Sequence, residues 1–322
     1  MYSLNQRFDN MEIPEDEYMT AGHVACAGCG ASLSMRLALK GLGKPTALVV
    51  PACCFGIIPG AWPQTAMEVP FFNTAFMTTG AVISGLKAAY RKRGMEDVCV
   101  VGWAGDGGTY DIGIQALSGA AERNEDVIYV CYDNEAYMNT GVQRSGGTPL
   151  GAWTSTTPVK APKSESKKDM DEIMVAHRIP YIATATAAYP HDWIAKFKKA
   201  RSMKGMRYIH ILSACPPGWK TPENMSIEIM RLAVLSNIFP LYEVENSEIF
   251  RQTVIPDEVE PVNHYLRSQG RFKHLTQEDI QVYQREVTTR FERLKERFDK
   301  IDELVKSRKT PFFVIPAKAG IQ

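Results

Sequence analysis

Helical and strand patterns alternate along the sequence from Ser32 to Leu212, and the strand candidates are largely apolar. The predicted helices cover 32–42, 78–91, 111–123, 170–177 and 191–202, and the predicted strands cover 46–50, 98–103, 127–132, 181–186 and 207–212. Apolar strands that alternate with helices belong to parallel sheets that are covered on both faces. We therefore predict an α/β fold, with a mostly parallel sheet and helices on both of its faces.

The same patterns divide the chain into four predicted parts. They are a polar arm at 1–20, an α/β domain at 21–240, an extension at 241–307 and a tail at 308–322. Thr276 is a good N-cap for one long helix in the extension. Apolar residues then recur at helical spacing, at Ile280, Tyr283, Val287, Phe291, Leu294, Phe298, Ile301 and Val305. This stripe favours packing on the chain's own domain over a contact with a partner subunit.

Charge and composition exclude several classes of partner. Lys plus Arg total 37 against 36 for Asp plus Glu, so there is no electrostatic basis for binding nucleic acid or an anionic membrane. The stretch 45–67 is uncharged and long enough to span a membrane, but Pro51, Pro59 and Pro63 interrupt it. It therefore predicts a buried irregular segment and not a membrane span. The acidic N-terminus lacks the features of an export signal, so we expect a cytoplasmic protein.

A Gly-Asp-Gly turn, Gly105-Asp106-Gly107, follows the predicted strand 98–103. Ligands bind at this edge of a parallel sheet, and glycines let main-chain amides approach a phosphate. A carboxylate beside a diphosphate calls for a divalent cation between them, and Mg²⁺ suits such oxygen ligands. Asn134 lies 28 residues further on, where the next strand should end, with Asp133 as an alternative ligand. A lone Gly-Asp-Gly is weak evidence, but together with the correctly spaced strand and Asn134 it favours a cofactor site over an ordinary strand-turn-helix.

The cysteines number seven, an odd count, and the chain has no export signal, which together argue against disulfides. Cys26 and Cys29 form a C-x-x-C pair that suits either zinc or an iron-sulfur centre. The other candidate ligands, Cys53, Cys54 and Cys215, are scattered, which favours iron and sulfur over zinc. The remaining two, at 99 and 131, fall inside strands and are expected in the core.

Taken together, these motifs resemble a known family. Gly-Asp-Gly followed by a spaced Asn resembles the thiamine diphosphate signature. With Cys-Ala-Gly-Cys-Gly at 26–30, the segment 134–141, Cys-Pro-Pro at 215–217 and the segment 265–275, nearly the whole chain is similar to the β subunit of pyruvate:ferredoxin oxidoreductase and its 2-oxoacid relatives. The resemblance implies the thiamine-diphosphate-binding fold.

The resemblance also implies roles for particular residues. The side chains of Asp106 and Asn134 and the carbonyl of Ala136 would ligate Mg²⁺. Asn139, as a catalytic group, and Thr140 would lie beside the thiazolium and the substrate. The full set implied to bind the cofactor is Gly105, Asp106, Gly107, Gly108, Asn134, Ala136, Asn139 and Thr140. One [4Fe-4S] cluster would be held by Cys26, Cys29, Cys54 and Cys215, and Cys53 competes with Cys54 as the third ligand.

The implied activity is oxidative decarboxylation of a 2-oxoacid, first of all pyruvate, with coenzyme A to acyl-CoA, CO2 and reduced ferredoxin, in anaerobic metabolism. An α subunit would supply the pyrimidine-side domain and the activating Glu, with γ and ferredoxin-like δ subunits beside it. One alternative is a thiamine-dependent non-oxidative decarboxylase or ligase with a structural zinc. Others are an oxidoreductase for a branched, aromatic or oxalate substrate, and a scaffold or electron-transfer subunit without its own cofactor.

Overall fold

Eight strands form one sheet in the computed structural model of the protein, which describes residues 12–307. The strands are β1 (Thr46–Pro51), β2 (Phe71–Thr74), β3 (Cys99–Gly105), β4 (Val127–Asp133), β5 (Tyr181–Thr186), β6 (Met206–Leu212), β7 (Leu241–Glu245) and β8 (Ile249–Val254). Their order is β2-β1-β3-β4-β6-β5-β7-β8, and the first six pair in parallel while β7 and β8 are antiparallel. The predicted mostly parallel sheet is confirmed.

Ten α-helices surround the sheet in the described part of the chain. They are α1 (Gly30–Leu42), α2 (Thr79–Lys92), α3 (Asp106–Tyr110), α4 (Ile114–Glu122), α5 (Met170–Ala176), α6 (Pro190–Ser202), α7 (Pro216–Trp219), α8 (Ser226–Leu235), α9 (Val262–Arg267) and α10 (Gln277–Ser307). The predicted helix 111–123 is wrong at its start, because helical structure begins at Asp106 and breaks before α4. At the break, a side chain on Gly113 would overlap the carbonyl oxygen of Gly108.

Both faces of the sheet are buried, as expected for apolar strands between helices. Successive residues of β4 point to opposite sides: Ile128 and Val130 belong to one core, and Val127 and Tyr129 belong to the other. Cys131 is also in this core, and both strand cysteines are buried as predicted. The sheet is therefore covered by helices on both sides.

The long helix α10 packs on its own domain. Thr276 caps it, since the Asp279 amide donates to the Thr276 hydroxyl at 3.2 Å and the Asp279 carboxylate accepts from Thr276 in return. Its first apolar residues join one core and its later ones the other: Ile280, Tyr283, Val287, Leu294 and Phe298. The prediction of packing within the chain is confirmed for these residues. The side chain of Val305 lies outside the described ones.

Residue 240 does not interrupt the sheet, because β7 and β8 extend it on the far side of β5. The division at 240 stays a prediction, and the arm before residue 12 and the tail after Ser307 lie outside the described residues. Within 12–307, no helix is long and apolar enough to cross a membrane. The uncharged stretch is only partly buried: β1 is enclosed, whereas Trp62 is 85% exposed.

Candidate functional site

Two strand tips bring the predicted oxygen ligands together. β3 and β4 are parallel neighbours, with Gly105 opposite Tyr132 in the register. Asp106 begins α3 immediately after β3, and Asn134 follows the last residue of β4. Both side chains therefore lie at the carboxyl edge of the sheet, where the spacing in the sequence predicted them.

Three oxygen atoms converge at this edge. The side-chain oxygen of Asn134 faces Oδ1 of Asp106 and the main-chain oxygen of Ala136, each at 3.0 Å. Turning the amide over would replace this oxygen with an N–H donor to both. In the present orientation of the amide, the Asn134 oxygen faces two other acceptors, which is unfavourable unless a cation lies between them. Neighbouring ligands of an octahedral Mg²⁺ lie about 2.9 Å apart, since each Mg–O bond is about 2.0–2.1 Å. The two 3.0 Å spacings therefore fit Mg²⁺.

The other oxygen of Asp106 is already engaged. The hydroxyl of Ser145 donates to Oδ2 of this buried carboxyl group, and Gly147 packs so closely that a Cβ there would lie 2.9 Å from Asp106 Cβ. Burial and then the charge of Asp133 raise the pKa of Asp106 well above its usual range. The carboxylate thus lacks a cationic partner of its own, while Oδ1 points toward the two other oxygens. Neither Ser145 nor Gly147 was identified from the sequence.

Asp133, the alternative ligand, belongs to a different set of contacts. Its carboxylate contacts Lys167 Nζ at 2.5 Å and His210 Nε2 at 2.9 Å, and it accepts from the Tyr110 hydroxyl at 3.0 Å. Burial alone would raise its pKa, but the charge of Lys167 and the bond from His210 outweigh burial, and its pKa is lowered. These partners make Asp133 a poorer candidate for the metal than Asn134.

One cavity of about 180 Å³ is lined by all eight residues that the resemblance assigned to cofactor binding, Gly105, Asp106, Gly107, Gly108, Asn134, Ala136, Asn139 and Thr140. Tyr137 and Phe76, which the sequence did not single out, stack in its wall with ring centres 5.8 Å apart. Tyr137 packs directly on Gly107, where any side chain would overlap its ring. A cavity of about 760 Å³ beside Trp62 is larger, but the described residues that line it carry no charge.

Four cysteines approach one another beside this cavity. Cys26 and Cys29 form a turn before α1, and the amide of Gly30 donates to the carbonyl of Ala214 at 3.0 Å. This hydrogen bond ties the turn to the loop of Cys215. Cys54 lies in the short turn after β1 and lines the cavity itself. All seven cysteines of the chain are free thiols.

The thiols of this group affect one another electrostatically. Burial, followed by repulsion from Cys53 and then from Cys215, Cys29 and Cys26, raises the pKa of Cys54 to about 12. Burial likewise raises the pKa of Cys215 to about 11. Four thiolates at this place would therefore need positive charge between them, which a metal centre would supply.

The strongest interactions of Cys53 are with other groups. Burial raises its pKa, and hydrogen bonding to the Tyr132 side chain and to the main chain of Phe55, Gly56 and Gly105 partly offsets this rise. Tyr132 and Gly105 line the cofactor cavity. The contacts therefore favour Cys54 over Cys53 as the third member of the cysteine group.

The described residues contain no ready-made site for a single metal ion. Among residues 12–307, no three His, Cys, Asp or Glu side chains are arranged to hold one metal ion. A tetrahedral zinc with Zn–S bonds of about 2.3 Å would hold its thiolates only about 3.8 Å apart. A cuboidal cluster would separate its thiolates by four irons.

Comparisons with known proteins agree with this geometry. Residues 62–211 match the family described as "Thiamine pyrophosphate enzyme, C-terminal TPP binding domain". Ketoisovalerate oxidoreductase subunit VorB of Pyrococcus furiosus is 52% identical over 292 residues, which cover 88% of this chain and 94% of that protein. Pyruvate synthase subunit PorB of Methanothermobacter marburgensis is 48% identical over 279 residues, with 85% and 96% covered.

A solved structure has the same fold. The 2-oxoglutarate:ferredoxin oxidoreductase of Magnetococcus marinus aligns with a TM-score of 0.55 and 24% identity, and the match covers 69% of this chain and 81% of that chain. At this level of identity, the likeness supports the fold alone.

Proposed function

Because the chain belongs to the family of VorB and PorB β subunits of 2-oxoacid:ferredoxin oxidoreductases, we propose that it carries the catalytic cofactor site of such an enzyme. The reaction is the oxidative decarboxylation of a 2-oxoacid with coenzyme A, which yields acyl-CoA, CO2 and reduced ferredoxin. The observation that carries the proposal is the convergence of oxygens beside a glycine-rich strand tip, where Asp106 Oδ1 and the carbonyl oxygen of Ala136 each lie 3.0 Å from the side-chain oxygen of Asn134.

In this proposal, Asp106, Asn134 and the carbonyl of Ala136 hold Mg²⁺. The main chain at 105–108 binds the diphosphate that shares the ion, because its glycines leave the amides accessible. Thiamine diphosphate, when bound, supplies a nucleophilic carbon for the substrate carbonyl and an electron sink for the bond that breaks as CO2 leaves. Asn139 and Thr140 line the same cavity and would orient the substrate by hydrogen bonds.

Cys26, Cys29, Cys54 and Cys215 would hold one [4Fe-4S] cluster. A cluster there would supply a one-electron acceptor close to the reacting carbon. Cys54 supports this arrangement, because it belongs to the cysteine group and also lines the cofactor cavity. Electrons would therefore have a short path from cofactor to cluster.

Partner subunits would complete the enzyme. The described cavity is open, and we propose that an α subunit closes it with the pyrimidine-side domain and the activating Glu. The γ and ferredoxin-like δ subunits would carry electrons on to ferredoxin. Iron-sulfur and coenzyme A chemistry suits a reducing compartment, so we propose a cytoplasmic location. Pyruvate is the first substrate to test, and the identity to VorB supports ketoisovalerate as the second.

The experiment is an anaerobic assay of the complex purified with its partner subunits. A panel of pyruvate, ketoisovalerate, an aromatic 2-oxoacid, 2-oxoglutarate and oxalate is supplied with coenzyme A and a one-electron dye. We expect dye reduction that depends on coenzyme A and is lost in the Asp106→Asn complex. Release of CO2 and aldehyde without any acceptor would instead support a non-oxidative decarboxylase.

A further inference from the structure

Glu135, which lies between the proposed metal ligands Asn134 and Ala136, has an unusual backbone conformation. Glu135 has φ +71°, in the left-handed region that side chains other than glycine rarely adopt. Such a conformation persists only where the surroundings enforce it. It also turns the chain sharply, which lets the side chain of Asn134 and the carbonyl of Ala136 point at the same place. The geometry of the metal ligands therefore depends on what holds Glu135.

Every polar atom of Glu135 is held by a neighbour. Its amide donates to Asp133 Oδ1 at 2.9 Å, and its carbonyl accepts from the Thr148 hydroxyl at 2.8 Å. Its carboxylate contacts Lys167 at 2.9 Å through one oxygen and Arg271 at 2.5 Å through the other. The side chain of Glu135 is 3% exposed, so its pair with Arg271 is buried and its pair with Lys167 is largely buried. Buried pairs of this kind lose most when one partner is removed.

Arg271 also supports the segment of the proposed metal ligands through Trp219. Its guanidinium lies over the ring of Trp219 at 4.2 Å, and the indole of Trp219 donates to the main-chain oxygen of Asn134 at 2.8 Å. Arg271 itself is buried and fixed by Gln269, whose side-chain oxygen accepts from Nε at 2.8 Å. One side chain from the C-terminal segment thus supports both ends of the Asn134–Glu135 pair.

We propose that Arg271, acting through Glu135 and Trp219, is a positioning residue for the Mg²⁺ site. These three residues form the Arg271 clamp. The clamp keeps Glu135 left-handed, so that the oxygens of Asn134 and Ala136 meet that of Asp106. The inference rests on the proposed function, because it concerns the same ion. Removing partners that orient metal ligands typically weakens metal affinity about 10–100-fold.

The test is Arg271→Lys in the full chain, purified with its partner subunits and stripped of metal and cofactor. Lysine keeps the charge, but it cannot contact Glu135 and Gln269 through two separate nitrogens, and it loses the stacking on Trp219. Equilibrium dialysis with labelled thiamine diphosphate gives the Mg²⁺ concentration at half-maximal binding. We expect this concentration to rise about 10–100-fold, while saturating Mg²⁺ restores one cofactor per chain. Maximal turnover at saturating Mg²⁺ should then recover.

Arg207→Lys is the matched control. Arg207 is also a buried arginine, paired with Asp126 at 2.6 Å, but it lies near the amino end of β6, at the opposite edge of the sheet. We expect this variant to lose stability with an unchanged Mg²⁺ requirement. The proposal is overturned if the Mg²⁺ concentration at half-maximal binding is unchanged in Arg271→Lys, or if it shifts equally in both variants.

A double variant, Glu135→Gln with Arg271→Met, covers the case in which Arg271→Lys does not fold. It removes both charges together, so no unpaired buried charge between these two side chains remains. The same 10–100-fold rise is expected, and an unchanged requirement counts against the clamp. If the unaltered complex shows no Mg²⁺-dependent cofactor binding, the proposed function fails instead, so the two failures are distinguishable.

Discussion

Asp106→Asn should have opposite effects on the stability of the protein with and without its cofactor. Asp106 is wholly buried beside Asp133, and the contact from Ser145 offsets this burial only partly. Its folded pKa is raised above the unfolded value. The stability that it contributes is therefore present at low pH and is lost as pH rises through the folded pKa. At neutral pH and without Mg²⁺, Asn at this position should leave the melting temperature unchanged or higher.

With Mg²⁺ and thiamine diphosphate bound, the unaltered protein should be more stable than Asp106→Asn. A ligand at 100 times its Kd stabilises a protein by about 2.7 kcal/mol. At roughly 2–4 °C per kcal/mol, this corresponds to roughly 5–10 °C for the unaltered protein. Asp106→Asn lacks the anionic ligand, so its melting temperature should rise very little when Mg²⁺ and cofactor are added. Differential scanning fluorimetry in EDTA, and then in Mg²⁺ with thiamine diphosphate, measures both states.

Asp133→Asn is the matched control at the neighbouring strand tip. The folded pKa of Asp133 is lowered, so its contribution to stability is present above the unfolded pKa and is lost only as pH falls through the folded value. Breaking its buried pairing with Lys167 should cost about 3–5 kcal/mol even in EDTA. If Asp106→Asn gains the same stabilisation from Mg²⁺ and cofactor as the unaltered protein, Asp106 is not a ligand of the ion. If Asp106→Asn and Asp133→Asn melt equally early in EDTA, burial of the Asp106 carboxyl group is not unfavourable.

Three further outcomes are expected. Cys54→Ser should lose iron while Cys53→Ser retains it, and iron analysis showing the reverse would reassign the third ligand. Although burial opposes it, the two aspartates that flank His210 raise its pKa to about 9, so stability should fall as pH rises from about 6.5 through 9. Urea unfolding of His210→Gln should lack this slope. Gly107→Ala should cost about 1–3 kcal/mol by overlap with Tyr137, and Tyr137→Ala in the same chain should relieve it.

Five of the six parallel strands, β1, β3, β4, β5 and β6, could be predicted because each is a largely apolar run that is buried on both faces. β2 and β8 gave no such signal: β2 is an edge strand with Phe72 exposed, and β8 carries polar residues such as Arg251 and Gln252. Edge strands are shaped by only one neighbour, so their sequences are less constrained.

The ligand candidates could be predicted for a similar reason. The spacing of Asp106 and Asn134 follows from one helix and one strand between neighbouring strand tips. Their supporting residues could not be predicted, because Ser145 contacts Asp106 from 39 positions away and Arg271 contacts Glu135 from 136 positions away. Such contacts depend on the folded chain, and no local pattern in the sequence indicates them.

We propose that one chain holds the thiamine site and an iron-sulfur cluster side by side. Iron, acid-labile sulfide, zinc and thiamine diphosphate should be measured on the anaerobically purified chain, separated from its partner subunits. We expect about four irons per thiamine diphosphate bound, with matching sulfide. Stoichiometric zinc, or bound cofactor without iron, would rule out this arrangement.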